Sequence, residues 1–307
     1  MQDKQPNTNL KDFDDELNLQ ELFHVIFQGK WVIVSVTAFI SILGVIYSLS
    51  LPNIYTSKAL LAPVNPSSNI SGALGGYAGL AGMAGINLSS GPDEGNSEKA
   101  LKKITSLSFF DSNIIKNIYL PDLKAVKSWS SDTNALNYDE SIYKIDSNTW
   151  VDQQMPSVQD SFETFKKHIR LNEDKLTGFI SLSVKHQSPY IAKQWLDLII
   201  DEVNAFYRQK DKSESEKAVN YLNQQISMTG LSEVKQVLAQ LQKEEIKKLT
   251  LIEANKYYVF EYIDPAAVME KKSEPRRSVI CIIFALLGGM LSVLTVLMRH
   301  YFFNKDA

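Results

Sequence analysis

The sequence predicts an α+β protein: two transmembrane helices flank a domain with a small mixed sheet at its base and a protruding hairpin of long helices. Three observations predict it. Two uncharged runs of 21 residues, 31–51 and 278–298, stand near the two ends of a 307-residue chain. Short strand-like segments occur at 54–62, 168–172, 179–186 and 257–263. From 190 to 256 there is no proline and a single glycine, Gly230, in a long stretch of helical spacing.

Each uncharged run rises ~1.5 Å per residue and so reaches about 30 Å, the hydrocarbon thickness of a bilayer. A core helix of a soluble domain seldom runs so long without a polar face. A cleaved signal peptide fits the first run poorly, because an acidic stretch precedes it and no small-residue cleavage site follows it. Two spans place both termini on one side of a membrane and residues 52–277 on the other. Lysines and arginines near the span ends give no clean vote on which side is which, and long loops cross largely regardless of charge.

Before the first span, Asn18 and Glu21 form a capping-box pattern with Leu17 and Leu22 at staple positions. Leu19, Leu22, Phe23, Ile26 and Phe27 then make an apolar stripe. The stripe fits an amphipathic helix on the membrane surface and equally an extension of the span, since Gly29 weakens continuity without forbidding it. Residues 65–96 are glycine-rich, with Gly76, Gly79, Gly82 and Gly85 at every third position. They lack collagen's prolines and the ending of a P-loop, so a long flexible loop is expected there. Helical spacing resumes over 97–118, and 122–157 reads as polar surface loops. A helix is expected near 157–167. The strands 168–172 and 179–186 face each other across a turn at 173–178.

Ser188 caps a helix that has Pro189 in its first turn. Seven of the ten residues 208–217 are charged, yet none breaks a helix. Thr229-Gly230-Leu231-Ser232 is the expected turn, with Ser232 capping the second helix. The arm of 189–256 carries a narrow seam of Leu222, Ile226, Val234, Leu238 and Leu241, satisfied within one chain or between chains. Pro265 ends the last strand, and a charged tether with Pro275, Arg276 and Arg277 leads into the second span. There, Gly288, Gly289 and Ser292 offer a small-residue face for helix packing.

The chemistry-bearing residues are sparse. Lys and Arg number 32 against 35 Asp and Glu, a formal charge of -3, so no basic field points to nucleic acid. Cys281 is alone, and His24, His168, His186 and His300 have no metal-ligand spacing. No Walker A, HExxH or nucleophile elbow is present. The expectation is a chain with no catalytic residues, no cofactor and no metal.

Several stretches resemble the Wzz-type chain-length determinants, the polysaccharide co-polymerases of bacterial inner membranes. They are the run from Gly178 to Pro189 with Ala192 and Trp195, Tyr221-Leu222, Ile263-Asp264-Pro265-Ala266, and Ser273-Glu274-Pro275-Arg276-Arg277. The glycine pair followed by Met290-Leu291, and the Leu-rich approach to Lys30-Trp31, fit as well. The resemblance implies a cytoplasmic tail (1–30), a first span (31–51), a periplasmic domain (52–277), a second span (278–298) and a cytoplasmic tail (299–307). It implies a homo-oligomeric ring, octamer-like, among inner-membrane lipids. That ring would work with the O-antigen polymerase and set the length of lipid-linked polysaccharide in lipopolysaccharide biosynthesis. The alternative within the same superfamily is a capsule or exopolysaccharide export co-polymerase acting with a separate tyrosine kinase, since only nine residues follow 298.

Overall fold

The computed structural model describes residues 19–64, 95–152 and 154–303. It divides into two units, one of residues up to 51 with 275 onward, the other of 52–274. The glycine-rich loop, with Gly76, Gly79, Gly82 and Gly85, and the capping residue Asn18 lie outside the described residues.

The first unit is helical. Helix α1 (Leu19–Gln28) leads into α2 (Lys30–Ser50), and the chain returns through α8 (Arg277–Phe303). The Gly29 amide donates to Val25 O at 3.0 Å and the Ile33 amide to Gly29 O at 3.0 Å, so hydrogen bonds bridge the joint, while Gly29 itself, at φ -81° and ψ 4°, separates the two helices. Mean hydropathy reaches 2.3 in α2 and 2.7 in α8. Both keep large apolar side chains outward, with Phe39 64% and Leu286 65% exposed. A soluble core helix would bury them, so length, composition and exposure together fit two membrane spans with a large domain between.

The second unit is built on a four-stranded sheet in the order β6-β7-β1-β8. Its strands are β1 (Tyr55–Pro63), β6 (Ile169–Glu173), β7 (Ile180–His186) and β8 (Phe260–Asp264). Every pairing is antiparallel, where a mixed sheet was expected. The reason is topological: β6 and β7 join through a tight turn, with Gly178 at φ +71°, and the long excursions return β1 and β8 in opposed directions. Pairing Ala59 with Leu182 and Leu61 with Ile180 turns one face inward. Ile180, Leu182 and Val184 are all buried there. Ala192, Trp195, Leu196, Ile199, Ile200 and Val203 cover that face from the base of α6 (Pro189–Met228).

Helix α3 (Gly95–Ile104) and α5 (Val158–His168) complete the core with Leu101, Ile104 and Phe165. The helix expected over 97–118 stops at Ile104. A short turn follows, capped by Ser106, and then a π turn at Phe110–Ile114 and a 3-10 turn at Ile115–Asn117. Phe109, Phe110 and Ile114 are all fully buried in the core through this irregular winding. The region read as surface loops contains α4 (Leu120–Lys124) and two small hairpins. They are β2 (Val126–Ser130) with β3 (Ala135–Tyr138), and β4 (Tyr143–Lys144) with β5 (Thr149–Trp150). Asn134 and Asn148 sit at φ 50° and 54°, the left-handed conformation that asparagine tolerates in turns. Helix α7 (Ser232–Ala254) runs back along α6. Its cap position is Leu231, with no side-chain cap, so Ser232 is the first helical residue instead of the cap.

Candidate functional site: paired spans, a tied tether and a helical arm

In the first unit α2 and α8 meet through small residues. A Cβ at Gly288 would stand 3.0 Å from Ile40 Cβ and 3.4 Å from Thr37 Cα. Ser292 is fully buried; its hydroxyl donates to Gly289 O at 2.7 Å, so Thr37 Oγ1, 3.3 Å away, donates to it. Gly289 faces open space, with nothing within 4 Å of where its Cβ would be. The pair Gly288-Gly289 is therefore split between an inner and an outer face. Two further close approaches escaped sequence reading. A Cβ at Gly44 would lie 2.6 Å from Phe284, and one at Gly29 would run into Val296 Cγ1. In an apolar run a glycine carries no mark of which face it is on, so their pairing was not legible.

Arg277 belongs to α8 rather than to a tether, and its Nε donates to Ser48 O at 3.2 Å. The Arg276 carbonyl accepts from the amides of Val279 and Ile280, so it opens the same helix. Pro265 follows β8, and the segment after it is tied down along β1. Ser57 Oγ donates to Ala267 O at 2.9 Å, the Ser273 amide donates to Ile54 O at 2.8 Å, and Lys185 pairs with Glu274. The two ends of the 52–274 unit are thereby held together up to Pro275.

The arm seam closes within the chain. Leu222, Leu238 and Leu241 are buried against one another, with Ile226 and Val237 beside them. Val234, expected in the seam, is 41% exposed. Val234 shares the stripe of Leu238 and Leu241 but lies in the first turn of α7, at the hairpin's tip, and Val237 packs beside the seam instead. At the arm's root, the Arg208 guanidinium donates to Asn255 O at 2.8 Å, and Lys212 pairs with Glu253 at 2.5 Å. Tyr258 OH donates to Asp211 Oδ2 at 2.6 Å. Burial and that carboxylate hold the Tyr258 phenol well above its ordinary range.

Asn204 is the polar residue that sequence reading missed. Its Oδ1 accepts from the amides of Tyr258 (3.2 Å), Val259 (2.7 Å) and Phe260 (3.0 Å), and its Nδ2 donates to Phe260 O and Ile200 O, both at 3.1 Å. One buried amide thus seats the start of β8 on α6. The only available signal was an asparagine one residue past Val203 in an apolar stripe.

The titratable groups of the core are structural. His186 Nδ1 accepts from the Ser188 amide at 2.9 Å, which leaves Nε2 to donate to Asp122 O at 2.9 Å. Burial pushes the His186 imidazole down to about 4. His168 Nδ1 donates to Lys185 O at 2.6 Å, and burial lowers it too. Both rings pack against Trp195. Imidazoles bonded to the backbone in this way and packed on Trp195 help to shape the core. Among the described residues, no group of three or more His, Cys, Asp or Glu comes together to hold a metal. A cleft of about 440 Å3 lies between α3, α5 and β6, where Phe162 and Ile169 meet Lys102, Lys166, Arg170 and Glu173.

Residues 15–109 match the family model for Wzz, the chain length determinant protein. That stretch includes α1, α2, β1 and α3, and with them the Leu-rich approach to Lys30-Trp31. Among solved structures, a full-length bacterial polysaccharide co-polymerase aligns with a TM-score of 0.41 and 15% identity, covering 94% of this chain and 99% of that one. A fragment of WzzB, a polysaccharide co-polymerase from Salmonella Typhimurium, aligns with a TM-score of 0.27 and 16% identity, over 72% of this chain and 100% of that one. A point mutant of the Shigella flexneri lipopolysaccharide O-antigen chain-length regulator gives 0.23 and 13%, over 72% and 100%. No curated protein matches.

Proposed function

We propose that this chain is a non-catalytic regulator of polysaccharide chain length in a bacterial inner membrane. The observation that carries the proposal is the Wzz family match on the residues that build the first span and β1. In this reading, residues 52–277 lie in the periplasm and both termini in the cytoplasm. Copies assemble into a ring that works with the O-antigen polymerase while the polymer grows on its lipid carrier. The chain's part is to position and limit, and the polymerase makes the glycosidic bonds. Core histidines committed to backbone partners, and a seam and a tether closed by packing, support a scaffold over a catalyst.

The test is the banding of surface lipopolysaccharide on a gel, with the gene deleted and then restored. The expected result is a modal cluster that collapses to an unregulated ladder and returns. An unchanged ladder with altered capsule or exopolysaccharide would instead assign the chain to export systems that use a partner kinase.

A further inference from the structure

We infer that the joint between α1 and the paired spans binds the phosphodiester headgroup of an anionic phospholipid, with Arg299 as its cationic contact. The inference rests on reading α2 and α8 as membrane spans. A cavity of about 660 Å3 opens there, lined by Val25, Gln28, Gly29, Val32, Val296, Arg299 and His300. That volume falls in the range of about 300–1,000 Å3 usual for small-ligand sites.

Its chemistry is two-sided. Its lining combines apolar Val25, Val32 and Val296 with polar Gln28, Arg299 and His300. Its depth follows from the helix contacts. Gly29 is seated on Val296, and Arg299 stands one turn further on, about 4.5 Å along the axis. Trp31, 76% exposed at the start of α2, and Lys30, 4.8 Å above the Phe27 ring, lie at the same end of the pair. Tryptophan and basic residues at a span end mark the level of lipid headgroups. A cavity at that level whose lining joins valines to a cation suits a molecule that carries both acyl chains and an anion. An arginine binds phosphate oxygens through charge-assisted hydrogen bonds, and a lysine supplies the same charge as a point cation. The missing side chain at Gly29 lets α1 close the cavity on α8; any larger residue would push Val296 away and open the wall.

The test places the full chain in nanodiscs of phosphatidylglycerol mixed with phosphatidylcholine, then counts lipids retained after mild detergent extraction by native mass spectrometry. Wild type should keep phosphatidylglycerol in preference to phosphatidylcholine. Arg299→Gln should keep about five-fold less, the effect of losing one cation near an anionic surface. Arg299→Lys should recover most of the retention, which separates loss of charge from loss of fold. Equal retention in wild type and Arg299→Gln, or equal retention of the two lipids, would overturn the assignment. So would displacement of the lipid by inorganic phosphate at matched concentration, since the site would then read a free anion. Alkaline carbonate washing tests the spans separately: a chain that washes off removes the basis of the inference. Chain-length control is read on the glycan gel and stands or falls independently.

Discussion

Asn204 shows how much one buried side chain can hold. Three amides of the segment entering β8 share its Oδ1, and these groups lie out of reach of water. Asn204→Ala strands them, and each buried unsatisfied donor costs about 1–3 kcal/mol. The expected loss is about 3 kcal/mol, read as a lowered urea midpoint for the purified chain; a midpoint equal to wild type would refute the anchoring role. His186 supplies a pH signature from the same core. Burial holds its folded pKa at about 4, below the unfolded value of 6.5, so the unfolded chain binds the extra proton first. Stability from this residue is complete above pH 6.5 and falls as the pH drops toward 4, by about 1.4 kcal/mol per pH unit in that window. His168, lowered by burial as well, adds in the same direction. Urea midpoints should therefore decline from pH 7 to pH 5, and His186→Gln should flatten the slope. An equal slope in both proteins would assign the pH dependence to other groups.

At the scale of elements, the arm is held by a small seam. Leu222, Leu238 and Leu241 close it within the chain, so Leu238→Lys acts first on the hairpin itself. A charge placed among buried leucines should free amides in the upper part of α6 and in α7 to faster hydrogen exchange, while β1 and β7 keep their protection. Exchange unchanged in the arm would mean that the seam contributes nothing. The spans, the arm, the β6–β7 hairpin and α5 were all legible in the sequence, because each is a local pattern: an uncharged run, a 3.6-residue stripe, a two-residue alternation around a turn. What stayed hidden depends on distant partners. The π turn at Phe110–Ile114 is shaped by the core it fills, not by its own residues. The β2–β3 and β4–β5 hairpins are too short and too polar to carry an alternation, and their turns rest on asparagines at positive φ. The antiparallel order of the sheet depends on which strand ends meet, which residues 65–94 and the whole arm separate in sequence. Val234 lies on the seam stripe but in the first turn of α7, and its 41% exposure there is a matter of position along the hairpin that helical spacing does not show.

At the scale of the whole molecule, the question is which surfaces serve the single chain and which remain for others. Gly288 and Gly289 pose it directly, since adjacent residues on a helix point about 100° apart and these two diverge. Gly288 lies against Ile40 and Thr37, inside the span pair, whereas among the described residues nothing stands within 4 Å of a Cβ built at Gly289, and Met290 and Leu286 beside it are each 65% exposed. Gly288→Leu should therefore act within the chain. Overpacking a close helix contact costs about 1–3 kcal/mol, and the expected readout is reduced protein abundance in the membrane. Gly289→Leu should leave abundance unchanged, because there is room for the side chain. Under the proposed function, the outer glycine face is where a second copy or the polymerase can approach closely in the bilayer, as small residues allow. Gly289→Leu should then shift the modal glycan length at wild-type abundance, while Gly288→Leu should lose length control only in proportion to lost protein. The two substitutions, one residue apart and equal in size, separate folding of the span pair from its use. A normal ladder for Gly289→Leu at equal abundance would show that this face meets only lipid, and the contacts that set polymer length would have to be sought on the 52–274 unit.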